Sequence, residues 1–207
     1  MDAHLRAGIA IYNAGGYHDA HDAWEDRWLD LEAGTDDERF LHGLIQFTAA
    51  VHHGYQGNWK GLSGLAGSAR AYLAGLPADY RGVNLGEIRA YLAALDRDPE
   101  HVEREAPPPL RHQGEALSFS GLEFEATAVV AEVLAETVSE YDEGVIEDAV
   151  RYAGEGIDAG EHSPFVTFVM DFVRDDEKRE TVYARLKDRV ERRRSREEDV
   201  EGLFDPE

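Results

Sequence analysis

Apolar residues recur along most of the chain at intervals of three and four positions, the period of an α-helix with one buried face. In the first half, this pattern predicts helices over residues 4–14, 17–32 and 59–75, a third helix that ends near residue 54, and a fifth capped by Asn84. No segment shows the strict alternation of a half-buried strand. The pattern therefore predicts an all-α fold.

Residues 106–121 interrupt the helical pattern with three consecutive prolines, Pro107 to Pro109. Helical spacing then returns over residues 122–138 and 145–157, in a helix with Pro164 in its first turn, and in a last helix that carries Val182 and Leu186. We therefore expect a helical bundle over residues 1–105 and an extended Pro-containing segment over 106–121. Residues 122–207 are expected to form a C-terminal helical extension that packs on the bundle.

The charge balance indicates the environment of the protein. The chain has 43 acidic and 21 basic residues, a net charge of −22, and only three of the basic residues are lysines. An acidic, lysine-poor surface suits molar salt, where the Debye length falls to about 3 Å and carboxylates repel one another little. We expect a halophilic protein with an acidic surface in the cytoplasm of a salt-accumulating microbe. The same charge argues against nucleic-acid or membrane partners and leaves a homo-oligomer open.

Composition also limits the chemistry. The chain has no cysteine, which excludes disulfides, thiolate metal sites and thiol nucleophiles. Gly61, Gly64 and Gly67 are spaced by three but follow no strand and precede no Gly-Lys-Ser/Thr, so we interpret them as a close helix–helix contact and not as a phosphate loop. The basic stretch 185–196 is interpreted as a solvated helix with i,i+4 ion pairs or a dimer contact in preference to a nucleic-acid arm.

Six of the nine histidines precede residue 54. Gly34 can end the second helix, and Thr35 with Glu38 fits a capping box for the third, so these two helices should form an antiparallel hairpin. Residues that face each other across it then have numbers that sum to about 70. One face of the second helix carries His18, His21, Glu25 and Trp28, and one face of the third carries His42, Gln46 and His53.

If these faces meet, the pairs are His18 with His53, Glu25 with Gln46, His21 with Ala50, and Trp28 with His42. Such a polar seam persists only where its groups satisfy one another or bind a ligand. His21, Glu25 and His53 are suitable ligands for a divalent metal, the one cofactor this cluster suggests. The same groups also fit a His–Glu acid/base pair or a purely structural network, and no motif decides among these readings.

The residues 16–28, GYHDAHDAWEDRW, and 43–53, GLIQFTAAVHH, followed by Gly57 and Asn58, resemble the domain of unknown function 309 family. The likeness covers about residues 8–76, and Asp22 stands where that family more often has glutamate. It implies a compact helical bundle and no established activity. It does not extend to the C-terminal part.

Two functions follow from the sequence. The first is a non-catalytic scaffold or interaction module whose buried polar seam of His18, Trp28, His42 and Gln46 holds the hairpin. The alternative is a metal-assisted, hydrolase-like or small-ligand-binding protein that uses His21, Glu25 and His53. The sequence assigns no catalytic residue.

Overall fold

The computed structural model describes the backbone of residues 1–202 and the side chains of residues 1–199. The chain divides into two compact units, Met1–Leu122 and Glu123–Glu207. The described residues form ten α-helices and one two-stranded sheet of two residues a strand, so the predicted all-α class is confirmed.

The first unit contains six α-helices, two short 3-10 helices and the two-stranded sheet. Its helices are α1 Asp2–Asn13, α2 Asp19–Leu29, α3 Asp36–Tyr55, α4 Trp59–Leu73, α5 Leu85–Arg97 and the single turn α6 His101–Arg104. Short 3-10 helices cover Tyr80–Gly82 and Phe119–Gly121. The strands β1 Arg111–His112 and β2 Glu115–Ala116 pair antiparallel within the segment that the sequence predicts to be extended.

The turn between α2 and α3 has the predicted chemistry. Gly34 adopts a positive φ of 83°, a conformation that costs a residue without a Cβ little. The Thr35 hydroxyl accepts a hydrogen bond from the backbone N–H of Glu38 at 3.3 Å, as the capping box requires. The Glu38 carboxylate accepts from the backbone N–H of Gly34 at 3.2 Å, one residue before the N-cap amide that a full capping box pairs, while the N–H of Thr35 donates to the carbonyl of Glu32. This turn fixes where α3 begins, and thereby which residues of the two helices meet.

Of the three glycines that the sequence suggests as a close helix–helix contact, Gly61 makes one, because a Cβ there would lie 3.1 Å from the ring of His53 on α3. Two glycines outside that set lie still closer to a neighbouring helix. A Cβ on Gly8 of α1 would lie 2.2 Å from the Trp24 indole, and one on Gly43 of α3 would lie 2.5 Å from Leu73 of α4. The prediction of a close contact is wrong at Gly64 and Gly67, because a Cβ there would meet nothing within 4 Å among the described residues. Both positions of α4 face open space.

The segment after α6 is bound to the end of α1. The Asn13 side chain accepts from the backbone N–H of Leu110 at 2.9 Å and donates to the carbonyls of Leu110 and Leu117. The Tyr12 hydroxyl donates to the carbonyl of Pro108 at 3.0 Å. These bonds satisfy backbone groups that the extended conformation leaves unpaired, and they place residues 106–121 within the first unit.

The second unit contains four helices, α7 Phe124–Thr137, α8 Glu143–Asp158, α9 Pro164–Arg174 and α10 Arg179–Gly202. Pro164 occupies the first turn of α9, as predicted. Phe172 of α9 and Leu186 and Val190 of α10 are fully buried, together with Tyr152 of α8. No helix of the described residues combines the length and the apolar character that crossing a membrane requires.

Candidate metal centre

The first two turns of α2 bring one imidazole and two carboxylates together. His21 Nε2 lies 3.0 Å from Asp22 Oδ1 and 3.7 Å from Glu25 Oε2. His21, Asp22 and Glu25 thus offer three donor atoms that all lie within 4.8 Å of one another. The His21 and Asp22 side chains are about one fifth exposed and that of Glu25 about one half, so solvent reaches the cluster.

The other nitrogen of His21 is already engaged. Nδ1 lies 2.6 Å from the backbone carbonyl oxygen of His18, and because a carbonyl only accepts, Nδ1 carries the proton. Nε2 therefore faces the two carboxylates either as the second N–H of an imidazolium or as a free lone pair. Metal-bound histidines commonly show this arrangement, in which one nitrogen binds the ion and the other donates to a backbone carbonyl.

Two further histidines adjoin the cluster. The ring of His18 stacks on that of His21 with centroids 4.9 Å apart, and it contacts the ring of His52 on α3 at 5.0 Å. Burial, with the nearby imidazoles of His18 and His53, lowers the pKa of His52 below its ordinary value. These causes favour the neutral form of His52 over its charged form.

His53, the third ligand expected from the sequence, lies in a different environment. Its Nδ1 is 3.0 Å from the side-chain Nδ2 of Asn58, the N-cap residue of α4, and accepts its hydrogen. Among the described residues, the group of three potential metal donors includes His21 and Glu25 but takes Asp22 in place of His53. The structure thus brings together two of the three expected ligands and places the third, in the last turn of α3, against the N-cap residue of α4.

Two further residues of the expected seam, Trp28 and His42, lie beside a carboxylate at the closed end of the hairpin. The rings of Trp28 and His42 are 4.4 Å apart, and His42 stacks on Tyr72 of α4 at 3.8 Å. The indole N–H of Trp28 donates to Glu38 Oε1 at 2.9 Å, and His42 Nδ1 lies 3.4 Å from the same oxygen. The hydrogen bond from Trp28, with those from Gly34 and His42, lowers the pKa of Glu38.

Gln46 belongs to neither group. Its side chain is half-buried and lines an open surface groove between α3 and α4, together with Asn58 and Ser68. The seam expected from the sequence is therefore divided into three places: the His21 cluster, the Trp28–Glu38–His42 network and the groove beside Gln46.

The sequence pattern does not predict the part that two carboxylates, Asp22 and Glu38, take in these groups. Asp22 follows His21 directly, and a rule that selects one helical face skips a neighbour displaced by about 100°. Its position in the first turn of α2, directly after a histidine, is the feature of the sequence that could identify Asp22 as part of the cluster. The sequence assigns Glu38 only to the capping box, but a carboxylate at that position also accepts hydrogen bonds from groups across the turn.

Comparison with known proteins agrees with the resemblance. Residues 5–65 match the family model described as domain of unknown function 309. An uncharacterised protein of Aquifex aeolicus (strain VF5) is 35% identical over 88 residues, which cover 42% of this chain and 26% of that protein. The match thus spans about a quarter of the length of this relative. The matched segment contains α2 and α3, and hence both the His21 cluster and the Trp28–Glu38–His42 network.

Proposed function

We propose that the first unit is a metal-binding module that holds one divalent transition-metal ion through His21 Nε2, Asp22 and Glu25. The observation that carries the proposal is the orientation of His21. Its Nδ1–H is bound to the carbonyl of His18, while its Nε2 faces two carboxylate oxygens. A cation at this point satisfies all three groups at once.

The distances suit such an ion. Bonds of about 2.0–2.2 Å from zinc to nitrogen and oxygen place neighbouring ligand atoms roughly 3 to 3.5 Å apart. His21 Nε2 lies 3.0 Å from Asp22 Oδ1 and 3.7 Å from Glu25 Oε2, and all three donor atoms lie within 4.8 Å of one another. The half-exposed Glu25 side chain therefore has to close on the other two groups when an ion binds. One imidazole with two carboxylates suits Zn²⁺, Mn²⁺ and Fe²⁺ better than it suits soft cations.

Three protein ligands leave at least one position for water or for a further ligand. That open position is what the hydrolase-like alternative requires, because a bound ion lowers the pKa of its water. A scaffold without metal is the second candidate. The Trp28–Glu38–His42 network favours it, since its hydrogen bonds are complete without an ion.

Metal titration distinguishes these functions. Untagged protein, stripped with chelator, should bind Zn²⁺, Mn²⁺ or Co²⁺ at one ion per chain in isothermal titration calorimetry. Loss of an outer-shell partner alone weakens metal binding about 10–100-fold, so Glu25→Gln and Asp22→Asn should each weaken it at least tenfold.

The matched control is Asp26→Asn, which removes the same charge from an exposed position of the same helix. It should leave the affinity unchanged. His53→Gln distinguishes the two ligand sets: full affinity supports Asp22 as the third ligand, and a tenfold loss supports the set predicted from the sequence. If the wild-type protein binds no ion, the metal proposal is wrong and the scaffold function remains.

We further propose that the protein works in the cytoplasm of a salt-accumulating cell. The net charge of −22 and the three lysines among 21 basic residues support this habitat. Raising KCl from about 0.1 M to about 1 M shortens the Debye length from about 10 Å to about 3 Å, so the thermal midpoint should rise by several degrees. An equal midpoint in dilute and concentrated KCl would contradict the proposal.

A further inference from the structure

The basic stretch of α10 lines a groove against α9 within the second unit. The groove encloses about 490 Å³, and its polar wall is formed by Arg185, Arg189, Arg192, Arg193 and Arg196. Its apolar floor comes from α9, where Phe168 is half-buried and Phe165 is 5% exposed. The arginines recur at steps of three and four, so they form one row along the helix.

Part of this row is occupied by the protein itself, as the predicted ion pairs require. Arg193 lies over the ring of Tyr152 at 4.1 Å and pairs with Glu155 and Glu197, and Arg192 lies 3.6 Å from Asp188. Arg185, Arg189 and Arg196, in contrast, form no ion pair with any residue that the structure describes. Arg189 instead lies 5.7 Å from the ring centroid of Phe168.

Three exposed guanidinium groups on one face are unexpected in this chain, which has twice as many acidic as basic residues. Guanidinium presents its N–H groups in a planar fork that fits carboxylates and phosphates. Their separation of four and seven residues spreads them over about 16 Å of helix at 1.5 Å a residue. A linear anionic ligand therefore fits the row better than a compact one.

We propose that this groove binds an acidic amphipathic peptide segment of a partner protein. Carboxylates of the segment pair with Arg185, Arg189 and Arg196, and its apolar side chains pack on Phe165 and Phe168. An apolar floor beside a charged rim is the usual arrangement where a groove receives an amphipathic segment.

Charge favours a peptide over a nucleic acid or a polyphosphate. The carboxylate of Asp188 lines the groove among the arginines and repels each anion that enters. A phosphate chain carries a charge at every unit, and the protein as a whole carries −22. A peptide with three or four spaced carboxylates avoids most of this repulsion and also uses the apolar floor.

The probe is a fluorescein-labelled synthetic peptide of 14 residues, with glutamates spaced by four and seven and leucines between them. In fluorescence anisotropy with the full-length chain, the peptide should bind saturably and more weakly as salt rises. The triple variant R185Q/R189Q/R196Q should bind the peptide with an affinity lower by on the order of tenfold or more. Each exposed ion pair contributes a small part of the binding free energy, and this variant loses three.

The control triple K60Q/R97Q/K187Q removes the same charge from exposed positions outside the groove and should bind like the wild type. A peptide with glutamine in place of glutamate should not bind. Equal losses in both triple variants would overturn the proposal in favour of a general charge effect. Tighter binding of inorganic polyphosphate or of a labelled single-stranded DNA than of the peptide would overturn it in favour of a phosphate ligand.

Discussion

Replacing Trp24 with alanine should lower the free energy of unfolding of the first unit by about 3–5 kcal/mol. The indole is fully buried between α1 and α2, and its N–H donates to the carbonyl of Leu5 at 3.4 Å. Truncation leaves a cavity and removes this hydrogen bond. Because all three tryptophans lie before residue 60, urea denaturation followed by the fluorescence of Trp28 and Trp59 reports this unit alone. A loss below about 1 kcal/mol would contradict the full burial of this indole between α1 and α2.

Gly8 of α1, which packs against the Trp24 indole, provides a sharper test of this prediction. Gly8→Ala inserts a methyl group 2.2 Å from the indole and should cost about 1–3 kcal/mol. In a Trp24→Leu background the methyl group has room, so the same substitution should cost less, with a coupling of about 1 kcal/mol or more. Gly64→Ala is the control, since it meets nothing within 4 Å and should stabilise α4 by up to about 1 kcal/mol.

The helices could be predicted from the sequence because their signals are local. The capping box at Thr35, Pro164 in the first turn of α9 and the apolar stripes each act within one or two turns. The ends of α2 were less accurate: the expected range 17–32 shortens to Asp19–Leu29. Tyr17 is compatible with a helix, but its ring stacks on Tyr55 of α3 at 5.4 Å. Long-range contacts of this kind override local propensity.

The small sheet had a local signal that periodicity does not detect. Gln113 and Gly114 connect the two strands, and both have positive φ, 53° and 86°. A two-residue hairpin loop of this kind requires positive φ at both positions, for which glycine is favoured. Strands of two residues are too short for alternation, so only the loop residues could have revealed the hairpin.

The candidate site shows over what length of the α2–α3 hairpin residue numbers alone predict which side chains meet. Numbers that sum to 70 correctly place Trp28 against His42, close to the turn that sets the register. At the open end of the hairpin, the ring of His18 meets His52, one residue from the expected His53. A shift of one residue turns a side chain by about 100° around the helix. Contacts between the two helices near the turn are therefore predictable from residue spacing. Contacts about three turns away from it can be identified only from the coordinates.

Replacing Glu38 with alanine should cost roughly 2–4 kcal/mol, because this carboxylate holds the closed end of the hairpin. Its side chain is only 14% exposed, and it accepts hydrogen bonds from the Trp28 indole and from the backbone of Gly34. Hydrogen bonds to a charged acceptor contribute more than neutral ones, and removal of the acceptor leaves the indole N–H without a partner. The measurement is urea denaturation monitored by tryptophan fluorescence.

The same residue should make the first unit sensitive to acid. The pKa of Glu38 is lower in the folded protein than its ordinary value of 4.5, so its contribution is complete above pH 4.5 and is lost as the pH falls through the folded value. Glu38→Gln should therefore flatten the fall in stability below pH 4.5. Asp36→Asn is the matched control, since it removes a charge from an exposed side chain in the same helical turn and should keep the wild-type slope. Equal slopes in both variants would mean that the acid sensitivity comes from the helix N-terminus and not from the network around Trp28.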